Sequence, residues 1–166
     1  MNAPRKIALS GLLTAVCFLL SYVEMLLPLT NSPIPGIKVG LANICILFAL
    51  YRLGGISAAG INFARILLCW LFFGNLSSAI YSLAGAAISL SVEAILIKTK
   101  KFSPVGVSAA GGAAHNFGQL LVAVLILGPG AVYYFPLLIL SGTALGAVNG
   151  IILSIILSRT QKFFRQ

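Results

Sequence analysis

Long apolar runs separated by short polar turns constrain the fold of this chain more than any other feature of its sequence. Hydrophobic residues make up 60% of the 166 residues and charged residues only 8%, whereas soluble proteins carry about 25% charged residues. Apolar runs of roughly 18 residues or more are typical of membrane-spanning helices. The sequence therefore predicts an all-α integral membrane protein that forms a single membrane domain over residues 1–166.

The turns divide the chain into six predicted transmembrane helices. We place them at approximately Ile7–Leu29, Val39–Tyr51, Ile56–Phe73, Ser78–Ile97, Pro104–Leu127 and Val132–Ser158. The second helix is short for a full membrane crossing. Strands are not expected, because the apolar runs are long and continuous and do not alternate with polar residues.

The positions of the basic residues predict the orientation of the bundle. The net charge is +9. Most of the basic residues follow or precede apolar runs on one predicted side: Arg5, Lys6, Arg52, Lys98, Lys100, Lys101, Arg159, Lys162 and Arg165. Cytoplasmic loops of membrane proteins carry such an excess, so both termini are predicted to be cytoplasmic. This distribution indicates a multi-pass protein of the cell membrane whose basic residues contact anionic lipid headgroups. It argues against nucleic acid as the partner of the basic residues.

Several polar side chains fall inside the predicted helices, between the midplane and the outer surface. They are Glu24, Asn43, Arg65, His115, Asn116 and Gln119. Polar groups at this depth are costly unless they have partners, and they often mark binding sites. His115 and Gln119, one helical turn apart, share a helix face, and Asn116 points about 100° away from them. The pattern predicts a ligand pocket lined by these residues.

Two interpretations of Arg65 stay open at this point. A guanidinium near the midplane costs at least ~2.5 kcal/mol, so it requires a carboxylate, several carbonyl groups or a bound anion. Glu24 is the only acidic residue at a similar depth, which makes an Arg65–Glu24 ion pair one solution. In the other, Arg65 binds a polar or anionic ligand together with His115 and Gln119.

Two further charged residues lie closer to the membrane surfaces. Lys38 belongs to the outer loop between the first two helices, which is either a rigid turn or a lid whose lysine meets an anionic group. Glu93 lies about one turn from the inner end of the fourth helix. We expect its carboxylate to reach the interface, or to meet Lys98 or Lys100 there, and a proton-relay role would require a neighbour at membrane depth.

Small residues recur at spacings of four on two helices. Gly142, Gly146 and Gly150 form a stripe that is expected to pack within the bundle. Gly11 and Ala15 form a weaker stripe on the first helix. It either packs within the bundle or serves as a docking face for another membrane protein.

Residues needed for common catalytic sites are scarce. The chain has no aspartate, one histidine and three dispersed cysteines, and it lacks a Gly-rich phosphate loop followed by lysine. A metal cluster or an Asp-rich magnesium site for diphosphates is therefore not expected. We predict no metal, no cofactor and no enzymatic activity, and a polar layer that binds a ligand.

Three segments resemble a bacterial family called Gx transporter or heptaprenyl diphosphate synthase component I. The segments are Pro35-Gly36-Ile37-Lys38-Val39-Gly40-Leu41-Ala42-Asn43, Ala64-Arg65-Ile66-Leu67 and His115-Asn116-Phe117-Gly118-Gln119-Leu120. The resemblance implies a relation to the substrate-binding S components of energy-coupling factor transporters. Those are six-helix bundles with an outer pocket, which pair with a transmembrane coupling subunit and two ATPases. Their docking face on the first helix would correspond to Gly11 and Ala15.

Two functional hypotheses follow. In the first, the chain is an S-component-like membrane protein that binds a small, anionic or amphipathic solute for uptake, energised by separate subunits. In the second, implied by the family resemblance, it is a membrane accessory subunit in quinone or isoprenoid synthesis or in flavin-linked extracellular electron transfer, with a redox or prenyl partner.

Overall fold

A computed structural model describes residues 2–26 and 40–161 of the chain, and helices account for nearly all of them. The helices are α1 (Ala3–Leu26), α2 (Leu41–Leu53), α3 (Gly55–Phe72), α4 (Leu76–Thr99), α5 (Pro104–Leu127) and α6 (Phe135–Thr160). A short 3-10 helix, Pro129–Tyr134, precedes α6. Five of these elements are long and apolar enough to cross a membrane, and α2, with 13 residues, is shorter. The predicted all-α membrane class is confirmed.

The helix ends agree with the predicted ends within a few residues, and local chemistry explains the shifts. α4 begins earlier than predicted because Asn75 caps it, accepting a hydrogen bond from the Ser78 N–H at 2.7 Å. The predicted end of the first helix at Leu29 and the start of the second at Val39 lie outside the described residues. We call the end of the bundle where α1 ends the outer end, following the orientation predicted from the basic residues.

α2 lies at the centre of the bundle and explains why a short helix belongs there. Eight of its residues are buried: Ala42, Ile44, Ile46, Leu47, Phe48, Ala49, Leu50 and Leu53. It contacts α1, α3, α4 and α6. A helix that is apolar on all faces is suited to a core position. At its inner end, the Arg52 guanidinium donates to the Leu157 carbonyl of α6 at 2.7 Å.

Helices α4, α5 and α6 pack closely through glycines. An added Cβ at Gly146 would lie 3.0 Å from the Ala109 Cα, and one at Gly150 would lie 2.7 Å from the Val105 Cα. The glycine stripe of α6 therefore packs on the α5 backbone, as predicted. Gly118 of α5 meets α4 in the same way, since its Cβ would lie 2.8 Å from the Gly85 Cα. Small residues of this kind allow membrane helices to approach closely.

Side chains rather than glycines join α1 to α3. The Phe18 ring lies 5.7 Å from the Phe72 ring and 5.4 Å from the Phe73 ring, and Tyr22 lies 5.5 Å from Phe73, all between centroids. These distances are typical of favourable aromatic pairs. The bundle thus has a glycine-packed half, α4–α6, and a second half, α1–α3, held by aromatic and aliphatic side chains.

Candidate functional site

Among the described residues, the helices leave two neighbouring cavities that share part of their lining. The larger, about 270 Å³, lies toward the outer end between α1, α3 and α4. The smaller, about 50 Å³, lies deeper and is lined by residues from all six helices. Three side chains line both cavities: Glu24, Arg65 and Ser82. These three therefore form the boundary between an outer and an inner compartment.

The outer cavity is lined by both apolar and polar side chains. Apolar side chains of α1 and α3 contribute much of the lining, namely Met25, Ile66, Trp70 and Phe73. Ser21, Asn75, Ser78 and Ser82 add hydroxyl and amide groups. The Ser21 Oγ is buried and has no hydrogen-bond partner among the described residues. Such a lining suits a molecule with one polar group and an apolar body.

Arg65 is held in place by its own helix. Its guanidinium donates to the Asn62 Oδ1, one turn earlier on α3, at 2.5 Å, and Asn62 is itself buried. The Arg65 Nε is buried without a hydrogen-bond partner in the described part of the chain. Arg65 thus has one fixed neutral partner and unused donor capacity beside both cavities.

Glu24 bonds to the backbone before α2. Its carboxylate accepts a hydrogen bond from the Gly40 N–H at 2.7 Å, and the Asn149 amide of α6 donates to the Gly40 carbonyl at 3.1 Å. Across the described residues, the bonds made by Glu24 and Arg65 are with these groups and not with each other. The two charged side chains face the same cavities, but each is oriented by a different neutral partner.

The three polar side chains of residues 115–119 on α5 have two different roles, since two of them line the inner cavity and the third supports one of those two. Asn116 is buried and donates to the Leu138 carbonyl of α6 at 2.6 Å, while it also lines the inner cavity. The His115 ring lies against Gly85 of α4 and lines the same cavity. Gln119 lies 3.1 Å from His115 through the Gln119 Nε2 and His115 Nε2 atoms. Gln119 is fully buried and supports His115 from outside the cavity lining.

The prediction that Glu93 reaches the membrane interface was wrong. Its side chain is only 6% exposed and lines the inner cavity, instead of reaching the interface to meet Lys98 or Lys100. The reason lies on the facing helix. Gly111 of α5 has no side chain where the Glu93 carboxylate lies, and an added Cβ would overlap that carboxylate. A glycine opposite Glu93 therefore makes room for a carboxylate inside the bundle.

The structure brings five of the predicted ligand residues to the inner cavity: Glu24, Asn43, Arg65, His115 and Asn116. Lys38 lies outside the described residues. Gly11 and Ala15 lie on the exposed surface of α1, and nothing comes within 4 Å of a Cβ added at Gly11. Sequence reasoning missed Asn62 and Asn149, although both are amides within apolar helices and carry the signal that identified Asn43.

Substitution of Gly40 tests the hydrogen bonds that its backbone makes with Glu24 of α1 and Asn149 of α6. Its φ of 77° is in the left-handed region, and an added Cβ would lie 3.2 Å from the Asn149 Nδ2. Gly40→Ala is expected to destabilise the protein by about 1–2 kcal/mol, because a non-glycine residue is strained there. Thermal unfolding in detergent measures the loss. Gly60→Ala is the control, since a Cβ at Gly60 meets nothing within 4 Å. Equal stability of the two variants would contradict this role for Gly40.

These observations define a class of protein: a multi-pass helical membrane protein with polar groups gathered around internal cavities. Within that class, the family model of heptaprenyl diphosphate synthase component I matches residues 13–156. The match covers most of the sequence, and the chain belongs to this family. Neither the curated proteins nor the solved structures gave a match.

Proposed function

We propose that this chain is an S-component-like membrane protein that binds a small, anionic or amphipathic solute for uptake, energised by separate partner subunits. The observation that carries the proposal is the position of Arg65. Its guanidinium borders both cavities, and its Nε has no hydrogen-bond partner among the described residues. An arginine held by a neutral amide keeps its charge available for a ligand.

The outer cavity supports an amphipathic solute in particular. An anionic group bound to Arg65 would lie where the two cavities meet, and the body of the solute would contact Met25, Trp70 and Phe73. Binding pockets of this kind combine an apolar wall with a few placed polar groups. A volume of about 270 Å³ suits a small metabolite rather than a long lipid chain.

Binding without catalysis fits the residues present. The chain contains no aspartate and a single histidine, and His115 is engaged with Gln119. Energy for uptake would come from a transmembrane coupling subunit and ATPases. The exposed small residues Gly11 and Ala15 on α1 are the surface we propose for that contact, since small side chains allow another helix to approach closely.

The family description favours one alternative function. It names a component of a heptaprenyl diphosphate synthase, which points to a membrane subunit that accompanies a separate prenyl-transferring partner. A broader form of this alternative is an accessory subunit in quinone synthesis or flavin-linked extracellular electron transfer. In either form the chain would co-purify with a synthase or redox protein, and solute uptake would not depend on it.

Native mass spectrometry of the detergent-purified protein tests the proposal. The protein is expressed in a bacterial membrane and examined for a retained small molecule, which is identified after release. We expect one polar or amphipathic molecule, and we expect the same compound to raise the Tm when it is added back. A protein that carries no small molecule, shows no Tm response to a metabolite panel and co-purifies with a prenyl synthase would favour the alternative.

A further inference from the structure

Two side chains of opposite charge line both cavities without bonding to each other. They are Glu24 of α1 and Arg65 of α3. The Glu24 Oε1 accepts a hydrogen bond from the Gly40 N–H, and the Arg65 guanidinium donates to Asn62. The two side chains are close enough for their charges to interact. A molecule that binds where the two cavities meet therefore lies near a negative and a positive charge at once.

Helix α1 contributes acceptor oxygens to this boundary, and α3 contributes a donor. Only one Glu24 oxygen takes part in the bond to Gly40, and the other has no hydrogen-bond partner among the described residues. Ser21 lies three residues earlier on the same face of α1, lines the outer cavity, and has a buried Oγ that also lacks a partner there. On α3, the unpartnered Arg65 Nε can only donate. The α1 side can thus accept from an ammonium group, and the α3 side can donate to a carboxylate.

The pair of charges selects against a ligand with a single charge. An anion bound to Arg65 would bring a second negative charge near the Glu24 carboxylate, and like charges repel strongly where water is largely excluded. A cation bound to Glu24 would meet the Arg65 guanidinium in the same way. A ligand that has both charges interacts favourably with both side chains and adds no net charge to the buried site.

We propose that the solute is a zwitterion of the class of apolar α-amino acids, whose carboxylate binds Arg65 and whose ammonium group binds Glu24 and the Ser21 hydroxyl. Both charged groups of such a molecule are attached to one carbon, so both can reach the same boundary. The apolar side chain would extend into the outer cavity against Met25 and Trp70. This inference rests on the proposed function, because it names the class of solute for the same site.

Binding of matched compounds to the wild-type protein in detergent tests the inference. Phenylalanine has both charges, 3-phenylpropionate lacks the ammonium group, and 2-phenylethylamine lacks the carboxylate. Leucine, methionine and tryptophan are compared with their deaminated and decarboxylated forms in the same way. We expect at least one amino acid to raise the Tm saturably. Each of its two single-charge analogues is expected to bind at least about thirtyfold more weakly, the effect of removing one partner of a buried charge pair.

Glu24→Gln tests the role of the carboxylate. Glutamine keeps the side-chain shape and an oxygen that can accept from the Gly40 N–H, but it removes the charge. We expect this variant to bind the amino acid at least about tenfold more weakly and the deaminated acid more tightly than the wild type does, because the repulsion is gone. Glu93→Gln is the matched control, since Glu93 lines the inner cavity but not the outer one. Its ratio of the two affinities should equal that of the wild type.

A deaminated acid that binds the wild type as tightly as the amino acid does would overturn this inference and leave the proposed function intact, with a plain anion as the solute. The inference also fails if none of the apolar amino acids binds, or if Glu24→Gln leaves the preference for the amino acid over its acid unchanged. If Glu24→Gln does not fold, the comparison of matched compounds on the wild type decides. The proposed function itself fails when both a retained small molecule and a Tm response to the metabolite panel are absent.

Discussion

Gly142→Ala is expected to be among the most destabilising single substitutions in the protein. An added Cβ would lie 2.5 Å from the Gly112 carbonyl oxygen and 2.8 Å from the Asn116 Nδ2. The first of these atoms belongs to the backbone of α5, so only a separation of α5 from α6 can relieve the contact. Overpacking of a well-packed core costs about 1–3 kcal/mol, and we expect this variant to lose about 3 kcal/mol or more.

Unfolding in mixed detergent micelles, followed by circular dichroism, measures this loss. Gly11→Ala is the matched control, because Gly11 also lies in a helix but has open space around it. That change is expected to be neutral or slightly stabilising, since alanine favours helices by about 1 kcal/mol over glycine. If Gly142→Ala unfolds at the same point as Gly11→Ala, the close contact of α5 with α6 is not what the geometry indicates.

Arg65→Ala is expected to abolish retention of the solute while the protein stays folded. Removing one partner of a buried, hydrogen-bonded charge pair costs about 2–5 kcal/mol, which corresponds to a loss of affinity of at least about thirtyfold. Native mass spectrometry and the Tm response to the identified compound both measure it. Arg65→Lys keeps the charge but loses the planar donor set, so we expect it to bind with intermediate affinity.

Arg52→Ala is the control for this experiment. Arg52 donates to the Leu157 carbonyl at the inner end of α2, away from the linings of both cavities. Its loss should lower the Tm and leave solute retention intact. Retention that survives in Arg65→Ala, or that is lost equally in Arg52→Ala, would argue against a binding role for Arg65.

Hydropathy alone predicted the helices, because a long apolar run inside a bilayer has few alternatives to a helix. It also predicted that the second helix would be short. Depth estimated from helical rise placed Arg65, His115 and Asn43 in one layer, and the structure gathers them around one cavity. This worked because helices packed in one bundle bring residues of equal depth together.

The direction in which each side chain points could not be predicted in the same way. Glu93 points into the bundle because Gly111 lies opposite it. Gln119 is hydrogen-bonded to His115 and does not line the inner cavity. Both outcomes depend on which face of one helix meets which face of another. Such pairings arise from packing between helices far apart in sequence, so the spacing within one helix does not specify them.

At two places between α4 and α5, a side chain of one helix lies against a glycine of the other, and these contacts restrict how the two helices can move. Glu93 of α4 lies over Gly111 of α5, and His115 of α5 lies against Gly85 of α4. Sliding or rotating one of these helices against the other would drive both side chains into backbone, so we expect α4 and α5 to move together. Arg65 and Glu24 belong to the other half of the bundle, across the cavities. If the chain binds a solute as proposed, we expect the opening that releases it to be a displacement of α1–α3 relative to α4–α6.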